Sequence, residues 1–130
     1  MERYTATVTE SSRELSVKEK IKLKDEKLHQ KLNIVLSEQV KEAGGLVLEP
    51  DGWARVHVKN PYSKQREEYD FFVIIEKNGD TWMTGSQSFM EAFMGIWDEM
   101  KEYPGEEFKI RVYTKDSKNY SSGFITCSIE

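Results

Sequence analysis

Hydrophobic and polar positions alternate most clearly in the second half of the chain. From Trp53 to Lys59, Trp53, Arg55 and His57 point one way and Ala54, Val56 and Val58 the other. A period of two predicts a half-buried strand. The stretch Asn60 to Arg66 is polar and led by Asn-Pro, which predicts a loop. Tyr69 to Lys77 is β-branched and aromatic and predicts a second strand. Asn78-Gly79 predicts a tight type I′ hairpin, whose central positions both need positive φ. Asp80 to Thr84 is then a third strand, antiparallel to the second.

The spacing changes after Thr84. Phe89, Phe93, Ile96 and Met100 recur at helical intervals, flanked by Met90 and Trp97. Ser88 and Glu91 form a capping box at the start, and Pro104-Gly105 supplies the stop. Asp98, Glu99 and Glu102 take the wet side. Phe108 to Tyr113 alternates again as a fourth strand, residues 114–122 form a loop, and Gly123 to Ile129 is a fifth strand. Upstream, Arg3 to Thr9 reads as a short strand. Ser16 and Glu19 cap a helix over Val17 to Lys24, and Asn33 and Gly44 bracket a helix at Ile34 to Ala43. Leu46 to Leu48 is extended, and Pro50-Asp51-Gly52 is a bend. There is no internal repeat and no low-complexity tract.

From Trp53 onward the order is three strands, a helix and two strands, which is the order of an OB-fold. The expected architecture is mainly β with helices: a five-stranded OB-fold-like Greek-key barrel with a helix between strands three and four. This domain spans residues 46–130, and Phe89, Phe93, Ile96 and Met100 would plug one end of the barrel. Residues 1–45 would be an N-terminal extension whose short helices pack on it. Any α+β sheet with one covering helix shares this order.

Composition narrows the class. The chain has 130 residues, 32% of them charged and 12% aromatic, which suits one domain rather than a disordered segment. No apolar run approaches the ~20 residues of a membrane span, and the start has no signal-peptide character. The single cysteine, Cys127, excludes an internal disulfide framework. The expectation is a soluble protein of the cytoplasm with no membrane partner. The net charge is −4, but residues 80–107 alone hold seven acids and one cation. The deficit is therefore local, and it does not exclude a nucleic-acid partner.

An enzyme is not expected. His29 and His57 read as surface or sheet-face histidines, with no cysteine or acid at metal-ligand spacing. Cys127 lies in an apolar strand as a small buried hydrophobe. Gly44-Gly45 makes no phosphate loop. No catalytic residue, metal or cofactor is implied, and nothing supports a hydrolase.

Binding is the better reading. Single strands are held by aromatics that stack on bases and by cations that follow phosphates. Trp53, Arg55, His57 and Lys59 share a strand face, with Trp53 expected to be exposed. Tyr62, Lys64 and Arg66 lie in the next loop, and Lys115, Lys118 and Tyr120 in the loop between the last strands. The groove floor would draw on Tyr69, Phe71 and Trp82, or on the opposite set including Phe72. Phe71, Phe72, Phe108 and Phe124 also fit a core.

Three stretches carry a resemblance: Asp-Thr-Trp-Met-Thr-Gly-Ser-Gln-Ser-Phe at 80–89, Ile-Trp-Asp-Glu-Met at 96–100, and the two strands between 107 and 129. Over residues 46–130 the chain resembles the small single-stranded DNA-binding proteins encoded by phages and conjugative elements of Gram-positive bacteria. The resemblance implies an OB-fold and binding of single-stranded DNA without sequence preference. It further implies a role in replication or transfer of phage or plasmid DNA in the host cytoplasm. Self-association along DNA and contact with replication or transfer proteins would follow, with no cofactor and no catalysis. The binding positions it implies are Trp53, Arg55, Tyr69, Trp82, Lys115, Lys118 and Tyr120. The competing expectation is a phage-encoded protein-interaction module, a modulator of a host protein, using the acidic helix at 88–102.

Overall fold

The computed structural model describes residues 4–32, 45–65, 67–115 and 124–130. The fold is mainly β. In chain order the described elements are β1 (Thr5–Ser11), α1 (Val17–Lys24), a 3-10 turn (Glu26–Leu28), β2 (Gln30–Lys31), β3 (Leu46–Leu48), β4 (Pro50–Lys59), β5 (Glu68–Glu76), β6 (Thr81–Thr84), α2 (Gln87–Met100), β7 (Ile110–Lys115) and β8 (Phe124–Ile129). The strands form a five-stranded sheet ordered β1-β4-β5-β6-β2 and a three-stranded sheet ordered β3-β7-β8. Among the described residues these ladders do not close into the expected barrel. β6 is only four residues long, and its outer edge is taken by β2. The helix expected at 34–43 lies outside the described residues, as does most of the loop expected at 114–122.

Two compact units divide the chain. The first combines Met1–Gln30 with Asp51–Gly85, and the second Lys31–Pro50 with Ser86–Glu130.

The first unit is built on the alternation in β4. Ala54, Val56 and Val58 are fully buried and cluster with Phe71, Val73, Met83, Leu15 and Leu23. Leu23 is the inward residue of α1, whose start follows the expected capping box. The Ser16 hydroxyl accepts from the Glu19 N–H at 3.2 Å, and the Glu19 carboxylate accepts from the Ser16 N–H at 3.2 Å. Both groups satisfy amides that the first helical turn leaves unpaired. The edge strand β1 runs antiparallel to β4, with Thr5 opposite Lys59 and Thr7 opposite His57. Its register shifts between Val8 and Glu10, leaving a bulge there.

Three local expectations are corrected in this unit. The bend at Pro50-Asp51-Gly52 is the first part of β4. A Cβ on Gly52 would come within 2.8 Å of the Ser12 hydroxyl oxygen, and that hydroxyl accepts from the Trp53 N–H at 3.0 Å. Glycine here permits close strand approach rather than a turn. At the hairpin, only Gly79 has positive φ (+93°). The Gly79 N–H donates to the Glu76 carbonyl at 2.9 Å, and the Glu76 N–H donates to the Asp80 carbonyl at 2.8 Å. This is a three-residue loop with one left-handed glycine, not a two-residue type I′ turn. Finally, Trp53 is only 7% exposed and lies against Phe72, with ring centres 5.5 Å apart and planes at 23°. Phe72 and Ile74 are themselves fully buried. Both faces of β5 are thus apolar and covered, and Trp53 has a buried ring to pack on.

In the second unit, β3 pairs antiparallel with β7, and β7 with β8. α2 lies along β8. Its N-cap is Ser86, two residues before the expected one, with the Ser86 hydroxyl accepting from the Phe89 N–H at 3.2 Å. Ser88 instead donates its hydroxyl to the Ile125 carbonyl at 2.8 Å, tying the helix to the sheet. Phe89 and Phe93 are fully buried and stacked, and the row continues through Trp97 to the edge of Phe108.

Candidate nucleic-acid interface

The proposed stacking residues fall mostly inside the first unit. Phe71 is 1% exposed within the apolar cluster, so its ring offers no face to a base. Trp82 is 7% exposed, and its indole N–H donates to a Glu76 carboxylate oxygen at 2.6 Å. Trp53 is equally buried, and its indole N–H has no partner among the described residues. Tyr69 is half-buried against the same cluster, and its hydroxyl donates to Glu26 at 2.8 Å. Period two separates the faces of a strand but does not say which face is covered.

The cations divide into two groups. Arg55, half-buried, places its guanidinium 3.5 Å from the Glu10 carboxylate on β1. His57 lies between two acids of β5, with Nε2 at 3.0 Å from Glu68 and Nδ1 bonded to Asp70. Hydrogen bonds to Glu68, then to Asp70, raise the imidazole pKa above its ordinary value. Protonated His57 donates to both carboxylates. These two side chains, expected to face phosphates, spend their charge across the sheet. Lys59, Lys64 and Lys115 are exposed. Arg66, Lys118 and Tyr120 lie outside the described residues.

The remaining reactive groups have structural roles. His29, expected at a surface or on a sheet face, is buried. Its Nε2 is 2.8 Å from the Leu23 carbonyl and its Nδ1 is 2.6 Å from the Thr81 hydroxyl. A carbonyl only accepts, so Nε2 carries a proton and donates to Leu23, while Nδ1 is hydrogen-bonded to the Thr81 hydroxyl. Burial pushes the Cys127 thiol up to about 12, which keeps it protonated and unreactive. Among the described residues no group of three His, Cys, Asp or Glu side chains is placed to hold a metal ion. No helix there is long and apolar enough to cross a membrane.

Sequence reasoning misses one basic segment. Residues 18–31 hold six lysines against three acids. Lys18, Lys20 and Lys22 of α1, and Lys27 and Lys31 beyond it, are exposed. The signal is a lysine at every second position from 18 to 24. The aromatic that accompanies it, Tyr4, is close in space but not in sequence.

No family model matches this chain, and no match to a curated protein or to a solved structure is found.

Proposed function

We propose that the chain is an OB-fold protein that binds single-stranded DNA without sequence preference, in replication or transfer of phage or plasmid DNA. The observation that carries this reading is the strand connectivity. β3 and β4 are separated only by Glu49; β3 lies beside β7, β4 beside β5, β5 beside β6 and β7 beside β8. α2 falls between β6 and β7. The run of strands β4, β5 and β6, then a helix, then β7 and β8 supports an OB-fold order. Exposed Lys59, Lys64 and Lys115 would follow the phosphates. The resemblance adds Arg66, Lys118 and Tyr120, together with self-association along DNA and contact with replication or transfer proteins.

The test is a fluorescence anisotropy titration with labelled oligo-dT, its RNA counterpart and a duplex, at rising salt. The expected result is preference for the single strand. The slope of log affinity against log salt should be about −0.7 per phosphate neutralised. Absence of binding to any single strand at low salt overturns the reading. A second reading, docking of a protein partner on α2, draws on the exposure of Glu91, Asp98 and Glu99, followed by exposed Glu102, Glu106 and Glu107. It gains if the purified chain binds no nucleic acid at all.

A further inference from the structure

A cleft of about 390 Å³ opens beside β1 and α1, entirely within the first unit. That is the small end of the ~300–1,000 Å³ range of small-ligand sites. Tyr4, Ala6 and Ile21 line it together with Lys24 and Lys27. Tyr4 is 44% exposed and Ile21 59%, an apolar surface left open in a cleft that Lys24 and Lys27 also line. Two acids, Asp25 and Glu26, line it as well, so its carboxylates equal its ammonium groups in number, and both acids also bond within the fold. Asp25 accepts from the Lys27 N–H at 3.1 Å and starts the 3-10 turn, while Glu26 accepts from the Tyr69 hydroxyl at 2.8 Å. Partial burial, then Glu26 and Asp25, raise the Tyr4 phenol above its ordinary value, so its ring stays neutral.

A phosphate alone would need the lysines but not the apolar walls. An uncharged apolar ligand would need the walls but not the lysines. A flat ring carrying an anion uses both, and a nucleotide has that chemistry. We infer that this cleft holds one nucleotide of a bound single strand, its base on Tyr4 and Ile21 and its phosphate on Lys24 and Lys27. The inference rests on the single-strand reading above. It moves the principal stacking contact from the buried rings of β4 to β6 to an aromatic that the surface exposes. It also gives the lysine-rich segment a ligand. Stacking of this kind is tolerant of sequence because every base has a π-face.

The experiment pairs cross-linking with titration on the full chain. Wild-type protein is irradiated with an oligonucleotide carrying 5-iodouracil, and the cross-linked peptide is mapped by mass spectrometry. Tyr4 is the expected attachment point, and this arm needs no variant to fold. Tyr4→Ser should weaken oligo-dT binding by roughly thirtyfold, the middle of the range for loss of one stacked base. Tyr4→Phe, which keeps the ring, should bind as wild type does. Lys24→Gln with Lys27→Gln should reduce the salt slope by about 0.7, because the one phosphate they share is then no longer neutralised. If wild type binds oligo-dT but cross-links elsewhere, and Tyr4→Ser keeps its affinity, the cleft is not a subsite and the single-strand reading survives. If wild type binds no single strand, that reading fails and this inference fails with it.

Discussion

Arg55 and His57 on β4 have carboxylates waiting on both neighbouring strands: Glu10 on β1, and Glu68 and Asp70 on β5. The lysines of α1 have one acid within their own helix, Glu19, three residues before Lys22 and bonded to Arg13 at 2.7 Å. A sheet brings side chains of adjacent strands to within ~4.5–5.5 Å, so a cation there readily meets an acid. On a helix the neighbours are three and four residues away. In α1 those positions pair Lys18 with Lys22 and Lys20 with Lys24. Each like-charge pair costs about 0.2–0.5 kcal/mol. The two regions share a density of cations, but β4 cancels its field locally and α1 projects it. The aromatics divide the same way: Trp53 and Phe71 are buried in the sheet, while Tyr4 beside α1 is half-exposed.

Under the proposed function β4 and β5 would serve stability and α1 contact, and four substitutions test that division. The largest effect is expected for Phe71→Ala, which removes a fully buried ring from the first unit's core. Denaturant unfolding should show a loss of about 3–5 kcal/mol. A loss below ~1 kcal/mol, as for a surface residue, would return Phe71 to the stacking rings. Ser16→Ala removes the hydroxyl that caps α1 and should cost about 1 kcal/mol by the same measurement. Lys20→Glu should go the other way and stabilise by about 0.5 kcal/mol, because it replaces a like-charge pair with a Glu-to-Lys pair. The same variant should bind single strands more weakly; tighter binding would show that the field of α1 opposes the ligand.

The smallest effect concerns His57, and its sign is set by the raised imidazole pKa. The contribution of the His57 contacts is fully present below the unfolded value near 6.5. It is lost as pH rises through the higher folded value. Melting temperatures of wild type and His57→Gln should therefore differ most near pH 6 and converge as pH is raised. A difference that stays constant across that range would mean that Glu68 and Asp70 do not stabilise the imidazolium.

Much of the secondary structure is legible without coordinates. α1 lies where the Ser16–Glu19 box places it, and β4, β5 and β8 overlap the expected strands, while β7 runs Ile110–Lys115 and takes Thr114 and Lys115 out of the expected loop by pairing them with Ile125 and Phe124. Ser86 displaces Ser88 as the cap of α2 because Ser88 has another use, the Ile125 carbonyl, which no local pattern encodes. The turn at Asn78-Gly79 is where the dipeptide predicts it but of another type, since asparagine does not adopt positive φ there. The candidate site is less legible. Lys59, Lys64 and Lys115 are exposed as a polar pattern suggests, yet the four aromatics read as binding residues on β4 to β6 are buried or half-buried.

Local sequence places most strands and both described helices to within a few residues, because periodicity, caps and turn residues act within a few positions of one another. It also determined that acidity is concentrated in residues 80–107, which is arithmetic along the chain. Which aromatics are wet and which cations keep their charge outward depends on packing between strands. Trp53 is buried because Phe72, on another strand, lies against it, and Arg55 is matched because Glu10 reaches it from β1. Burial and charge pairing are properties of neighbours in space, and a linear pattern names a residue's face without naming what covers it.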